Sequence, residues 1–158
     1  MGMSEGGAVA PAIAAQIPQI NGLVVLGDGG MKGLDAFRIW GKRTGTDFDE
    51  IYKVVTENPV TDKFIGPYTY RYWKENLDEE PMQFLAGLDI PVYYAMGEKD
   101  GSVPLESLQY LQDEFVKLNK DNLTVKIYPD CKHDLEDSKG DSHLKEFMTD
   151  VYNWLSGK

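Results

Sequence analysis

At 158 residues, with 42% hydrophobic and 11% aromatic residues, the chain has the length of one domain and enough apolar side chains to bury a core, which argues against a disordered protein. Sixteen basic and twenty-six acidic residues give a net charge of −10, which repels phosphate backbones and anionic membrane surfaces and argues against nucleic acid and membrane partners. The single cysteine, Cys131, excludes an intrachain disulfide.

The first residues of the chain contain a G-x-S-x-G pattern that runs from Gly2 to Gly6, with Ser4 at its centre. This pattern is typical of a serine hydroxyl on a sharp strand-to-helix turn, where flanking side chains larger than glycine would collide with the neighbouring backbone. A lone pattern of this kind also occurs by chance, and only three residues precede the serine. Its value therefore depends on the residues that follow it.

Helices and strands are predicted to alternate along most of the chain. Residues 5–17 favour a helix that buries a narrow stripe of Val9, Ile13 and Ile17. In chain order the further predicted elements are a buried strand at 23–26, a strand at 91–96, a helix at 105–118, a strand at 123–128 and a helix at 144–155. This alternation predicts the α/β fold class, with about three parallel strands and flanking helices.

Residues 31–88 differ from the rest because aromatic side chains stand among charges in helical patches. A segment of this length between two strands is too long for a plain connection, so we expect a mostly helical cap or lid inserted into the core. The predicted divisions are residues 1–30 with the serine turn and the first strand, the cap at 31–88, and the remainder of the core at 89–158. The aromatics from Trp40 to Trp73 suit either the lining of an acyl or peptide pocket or the packed interior of a cap.

Asp100 and His133 each follow a predicted strand. Because the carboxyl ends of parallel strands meet at one edge of a sheet, we expect both side chains near Ser4. A serine nucleophile needs a base to accept its proton, and the base needs an acid to hold its tautomer. The order serine, acid, histidine therefore predicts Ser4 as nucleophile, Asp100 as acid and His133 as base. The amide of Glu5, the residue after the nucleophile, is the expected oxyanion donor.

Each of these residues has an alternative interpretation. Ser4 also suits an ordinary helix N-cap, and Asp100 also suits a turn that closes its own loop. Glu98 is the local alternative acid, and His143, at the start of the last predicted helix, is the only other histidine that competes with His133.

Two further patterns are candidates for a cofactor site and a metal site, and neither matches the motif that such a site needs. Residues 27–33 are rich in glycine, but they fail the dinucleotide pattern G-x-G-x-x-G because Lys32 stands at the last glycine position and Asp28 lies inside the turn. The acidic residues between 130 and 141 match a calcium loop neither in spacing nor in the position of a glycine. A solvated acidic loop is the simpler interpretation.

Residues 2–7, GMSEGG, together with the alanines and proline at 10–15, resemble the GHSEGG-x-x-AP-x-x-A turn and helix of the α/β-hydrolase superfamily, in its bacterial esterase and serine-aminopeptidase-like group. Residues 90–104 resemble the strand-and-acid segment of that superfamily, and residues 128–133 resemble its histidine loop. The resemblance implies a partial α/β-hydrolase fold that begins at the nucleophile turn, with the same roles for the serine, acid and histidine.

The chain departs from that pattern in two ways. Met3 stands where histidine is common, and the strands that precede the nucleophile in the superfamily, together with the second oxyanion donor, are not in this sequence. We therefore expect the C-terminal half of a hydrolase, a truncated fragment with reduced or no activity. Such a fragment would expose a sheet edge and apolar surface through which it self-associates.

The expected function is cleavage of an ester, thioester or amide bond in a small acyl or peptide substrate, through an acyl-enzyme on the serine. The alternative is a non-catalytic interaction domain that retains the hydrolase scaffold. No basic region followed by an apolar stretch marks a leader at the start of the chain. Because a fragment that begins at the nucleophile turn would lack any signal peptide of the full protein, localisation stays open, with the cytoplasm slightly favoured.

Overall fold

The computed structural model describes residues 1–58 and 62–157. In chain order the elements are β1 (Gly2–Met3), α1 (Glu5–Gln16), β2 (Leu23–Leu26), α2 (Gly33–Thr44), α3 (Phe48–Glu57), β3 (Phe64–Ile65), β4 (Tyr68–Thr69), α4 (Tyr70–Asp78), α5 (Met82–Leu85), β5 (Val92–Gly97), α6 (Leu105–Lys117), β6 (Leu123–Tyr128) and α7 (Leu144–Leu155). None of the helices in these two ranges is long and apolar enough to span a membrane.

A sheet of four parallel strands, in the order β1-β2-β5-β6, lies at the centre of the fold. Strands β2 and β5 are buried along their whole length, as expected of central strands covered on both faces. The predicted α/β class, with a parallel sheet and flanking helices, is therefore confirmed. The strand that the sequence does not reveal is β1, in which Gly2 pairs with Val25 and Met3 with Leu26. Two residues are too few to show a periodic pattern.

Helices cover both faces of this sheet. On one face Val25 packs with apolar residues of α1, α5 and α6, among them Leu85 and Leu111. On the other face Tyr93 packs with Phe147 of α7. Each large apolar side chain buried in this way stabilises the fold by about 1.5 to 3 kcal/mol. The two apolar layers thus hold the strand ends, and the loops that follow them, in fixed positions.

The prediction that Val9, Ile13 and Ile17 form a buried stripe is wrong. Their side chains are 44%, 47% and 42% exposed, whereas the buried residues of α1 are small or compact, such as Ala14 and Pro11. The helix leaves β1 by a sharp turn at Ser4 and lies against the sheet through this small-residue face. The larger apolar side chains consequently face away from the described core.

The chain divides into two compact units. The first contains residues 1–30 and 81–158 and holds the parallel sheet, and the second contains residues 31–80. The second unit consists of helices α2, α3 and α4 and the antiparallel pair β3 and β4. Its aromatic side chains pack on one another, with the Phe48 ring centroid 5.0 Å from that of Phe37 and 5.8 Å from that of Trp73. Of the two interpretations of these aromatics, the structure supports a packed interior.

Self-association through the β1 edge stays a prediction, and sedimentation velocity over a range of concentrations tests it. We expect the parent chain to associate, because unpaired strand edges and apolar surface of this kind bind other chains. Ile13→Lys, which places a charge on the exposed apolar side of α1, the helix that packs beside β1, should shift the distribution towards monomer. Val116→Lys, which alters a valine 74% exposed on α6, should leave the distribution unchanged. A parent chain that is monomeric at every accessible concentration would contradict the prediction.

Candidate active site

Ser4 lies on the turn between β1 and α1, with φ 52° and ψ −127°. A residue other than glycine held at positive φ costs on the order of 1 to 3 kcal/mol, so neighbouring contacts have to impose the conformation. The Ser4 amide donates to the Leu26 carbonyl of β2 at 2.8 Å, and the Ser4 carbonyl accepts from the Gly7 amide at 2.7 Å. The turn is therefore tied to the sheet on one side and to the helix on the other.

The glycines around this turn do not contribute equally. A Cβ on Gly2 would overlap the carbonyl oxygen of Gly6, so this glycine is required. A Cβ on Gly6 would meet no described atom within 4 Å, so the predicted need for glycine at that flank is wrong for the described residues. Gly7 is the second restricted position, because a Cβ there would lie 2.8 Å from Val25 Cγ1 and 3.0 Å from Asp28 Cβ.

The Ser4 hydroxyl does not cap the helix. Ser4 occupies the N-cap position of α1, yet its side chain accepts no hydrogen bond from the helix amides. The next residue, Glu5, is exposed and begins α1, where backbone amides have no partner within the helix. The start of α1 thus presents a hydroxyl that is not used for capping beside the amides of a helix N-terminus.

Asp100 lies in the loop after β5, and its side chain is only 1% exposed. Its Oδ1 accepts from the amides of Ser102 at 2.8 Å and Val103 at 2.9 Å. Its Oδ2 lies 2.7 Å from Nδ1 of His133. The turn interpretation and the acid interpretation are therefore compatible, because one carboxylate oxygen closes the loop while the other contacts the histidine.

His133 lies in the loop after β6, and its side chain is 24% exposed. The hydrogen bond to Asp100 raises the His133 pKa, burial lowers it, and the charge of Asp100 raises it further. With Nδ1 donating to Asp100, the neutral ring has Nε2 as its acceptor. A Cβ on Gly27, which has φ 69°, would lie 2.9 Å from His133 Cε1, so the backbone at the end of β2 lies directly against the ring.

The two loops that carry Asp100 and His133 are joined to each other. The Lys99 amide donates to the Cys131 carbonyl at 2.8 Å. A Cβ on Gly97 would overlap the Cys131 carbonyl oxygen, so the histidine loop passes against the backbone at the end of β5. The position of the imidazole relative to the carboxylate is thus set by backbone contacts as well as by their own hydrogen bond.

The alternative residues have other partners. Glu98 is exposed, and its carboxylate accepts from the Asp130 amide at 2.9 Å. His143 Nδ1 lies 2.9 Å from Glu146, and its Nε2 lies 3.4 Å from Asp137. Glu98 therefore binds the backbone of the histidine loop, and His143 belongs to a separate cluster on the surface.

The structure brings the predicted site residues to the side of the sheet where the carboxyl ends of its strands lie. Ser4, Asp100 and His133 follow β1, β5 and β6, which are parallel and therefore end on the same side. Among the described residues no hydrogen bond joins Ser4 Oγ to the His133 ring. Within these ranges no group of three or more histidine, cysteine and acidic side chains is arranged to hold a metal ion.

Sequence reasoning missed Asp28, which follows β2 at the same edge. Burial raises the Asp28 pKa to about 6, and hydrogen bonds from the amides of Gly30 and Gly29 oppose this rise. The charge of His133 lowers the Asp28 pKa and the charge of Asp100 raises it. The available signal was its place in the loop after a predicted strand, which it shares with the acid and the histidine.

Solved structures with a similar backbone include several hydrolases. A monoacylglycerol lipase from Paleococcus ferrophilus matches with a TM-score of 0.59 at 19% identity, over 98% of this chain and 66% of its own. A variant of a meta-cleavage product hydrolase matches with a TM-score of 0.60 at 19% identity, over 99% of this chain and 64% of its own. An esterase from Rhodococcus sp. matches with a TM-score of 0.54 at 18% identity, over 98% of this chain and 63% of its own. No family model and no curated protein matches the chain.

The chain therefore has the fold of the α/β-hydrolases, as the resemblance in its sequence implies. It spans 63% to 66% of the length of these three structures, so it contains part of that fold. The identities of 18% to 19% establish the fold alone. What the chain does has to be argued from its own residues.

Gly27→Ala tests the contact beneath the imidazole. We expect the downfield Nδ1 proton resonance of His133 to weaken or disappear, because the new Cβ collides with the ring and alanine is strained at this φ. The matched control is Gly101→Ala, where a Cβ would meet nothing within 4 Å and the resonance should persist. Proton NMR of the folded variants gives the comparison, and an unaltered resonance in Gly27→Ala would show that the contact does not hold the ring.

Proposed function

We propose that this chain carries the catalytic residues of a serine hydrolase, with Ser4 as nucleophile, His133 as base and Asp100 as acid. The observation that carries the proposal is the 2.7 Å contact between Asp100 Oδ2 and His133 Nδ1 at the sheet edge where Ser4 stands on a strained turn. A nearly buried carboxylate that fixes the tautomer of a partly exposed imidazole is the arrangement that activates a serine hydroxyl.

The reaction begins when the Ser4 hydroxyl attacks the carbonyl carbon of the substrate and His133 Nε2 takes the hydroxyl proton. The carbonyl oxygen becomes an oxyanion, to which the Glu5 amide donates. His133 then gives its proton to the leaving alcohol, thiol or amine as the bond to the carbonyl carbon breaks. Water repeats these steps on the acyl-enzyme, releasing the acid and regenerating the serine.

The substrate class that we propose is a small acyl compound or peptide with an ester, thioester or amide bond. The names of similar structures, which include an esterase and a monoacylglycerol lipase, support a carbonyl substrate. Residues 31–80, which lie within the predicted range 31–88, are proposed as the cap that would select among such substrates, because α5 packs against the sheet. Their place between β2 and β5 supports this assignment.

We further propose that this chain alone turns over slowly. Only the Glu5 amide is assigned to the oxyanion among the described residues, and the loss of one such donor reduces kcat by about 10²- to 10³-fold. The chain also spans less than two thirds of the meta-cleavage product hydrolase, 64%, and of the Rhodococcus esterase, 63%. An acylation assay is therefore more sensitive than a turnover assay.

Intact-mass analysis after treatment with a fluorophosphonate probe tests the proposal. The parent chain should gain the mass of one phosphonyl adduct, and Ser4→Ala should gain none. Asp100→Asn keeps the acceptor for the loop amides but loses the acceptor for Nδ1, so its labelling should slow by roughly 10⁴-fold.

The matched pair of controls uses the two histidines. His133→Ala should abolish labelling, whereas His143→Ala, in the separate surface cluster, should label as the parent does. A parent chain that is folded by circular dichroism but unlabelled would sink the proposal. The non-catalytic interaction domain would then be the better interpretation of the scaffold.

A further inference from the structure

We infer that Asp28 is a positioning residue that acts through His133, because its turn holds the end of β2 under the imidazole and its carboxylate stabilises the imidazolium. This inference rests on the proposed function, since it assigns a second carboxylate to the base of the same site.

Asp28 has a central place in the row of strand ends. The sheet order β1-β2-β5-β6 puts the end of β2 between the strand that leads to Ser4 and the strand that leads to Asp100. Its Cβ lies 3.0 Å from the position that a Cβ on Gly7 would take, so it packs against the first turn of α1. A single side chain thus borders both the start of the nucleophile helix and the loop beneath the histidine.

The Asp28 carboxylate shapes the backbone that contacts the ring. Its Oδ1 accepts from the Gly30 amide at 2.8 Å, and this bond closes a turn over residues 28–30. The preceding residue, Gly27, donates its amide to the Ala95 carbonyl of β5 at 2.9 Å and has φ 69°. This is the residue on which a Cβ would lie 2.9 Å from His133 Cε1. Gly27, the residue that contacts the imidazole, is therefore held by its bond to β5 on one side and by the Asp28 turn on the other.

Charge couples the same groups. His133 lowers the Asp28 pKa, and Asp28 is among the charges that raise the His133 pKa, after Asp100 and Asp134. Asp134 is exposed, so salt screens its influence, whereas Asp28 is partly buried and is screened less. The only charged residue of α1 is the exposed Glu5, and the α6 residue nearest Gly29 is the uncharged Ser107.

This coupling matters at the step where His133 carries the serine proton. At a pH where the resting His133 is neutral, the imidazolium forms only while the tetrahedral species forms and breaks down, so a fixed negative charge nearby stabilises the transition state more than the resting enzyme. At neutral pH Asp28, with a pKa of about 6, is mostly ionised and supplies that charge. As pH falls, Asp28 and His133 take up protons as a coupled pair.

The experiment is a proton NMR titration of the His133 Cε1 proton in a His143→Gln background, which leaves one histidine to observe. Asp28→Asn is the informative variant, because asparagine keeps an oxygen acceptor for the Gly30 amide while it removes the charge. We expect the His133 pKa to fall in Asp28→Asn and the fall to persist at high salt. Asp134→Asn is the control, whose effect should largely disappear at high salt.

Probe labelling of the same variants gives the kinetic readout. Loss of about 1.4 kcal/mol of imidazolium stabilisation would slow Asp28→Asn labelling by roughly tenfold at neutral and alkaline pH. In a plot of labelling rate against pH, the acid limb should move to lower pH, because His133 with a lower pKa stays neutral to a lower pH. A purely structural lesion would lower the rate without moving the limb in that direction.

A His133 pKa that is the same in folded Asp28→Asn as in the parent would overturn the inference. If that variant does not fold, the titration of the parent chain tests the inference instead. A His133 titration curve that fits a single pKa, with no sign of a second, coupled group, would also overturn the inference. The titration needs no activity. A fall in the His133 pKa without labelling of Ser4 would therefore contradict the proposed function and leave the coupling standing.

Discussion

The positive φ of Ser4 is the constraint on which the rest of the site depends. A two-residue strand cannot hold such a residue by itself, so the turn relies on β2, which accepts from the Ser4 amide through Leu26, and on α1, whose Gly7 amide binds the Ser4 carbonyl. The absent side chain of Gly2 lets the helix approach closely enough for both bonds to form. The strain of on the order of 1 to 3 kcal/mol is offset by these contacts, and the hydroxyl is left without a capping role.

The parallel sheet turns this local constraint into a site. Because every strand of the sheet ends on the same side, loops that are far apart in sequence meet there, and each adds one group to the surroundings of His133. Asp100 supplies the acceptor for Nδ1, Gly27 the surface under the ring, and Asp28 a negative charge that acts on the ring together with those of Asp100 and Asp134. The imidazole is therefore placed by backbone as much as by its ionic partner.

The sequence predicts the parts of this arrangement that depend on long patterns. Buried apolar runs predict β2 and β5, and a group directly after a strand predicts the meeting of Asp100 with His133. Short or steric features leave no such pattern. The two residues of β1 show no period, and the different demands on Gly2 and Gly6 depend on interatomic distances. The apolar spacing on α1 also misleads, because the close approach of the helix to the sheet favours small residues on the buried face.

The contact between the acid loop and the histidine loop has a consequence for protein engineering. The histidine loop lies so close to the end of β5 that no side chain fits on Gly97, and Lys99 is bonded to the Cys131 carbonyl. In a chimaera that takes one of these loops from another protein, the backbone of that loop would be fitted to a partner loop that the chimaera does not contain. Residues 97–103 and 128–133 therefore form one exchangeable module, and recombination between chains of this fold should place its crossovers outside the pair.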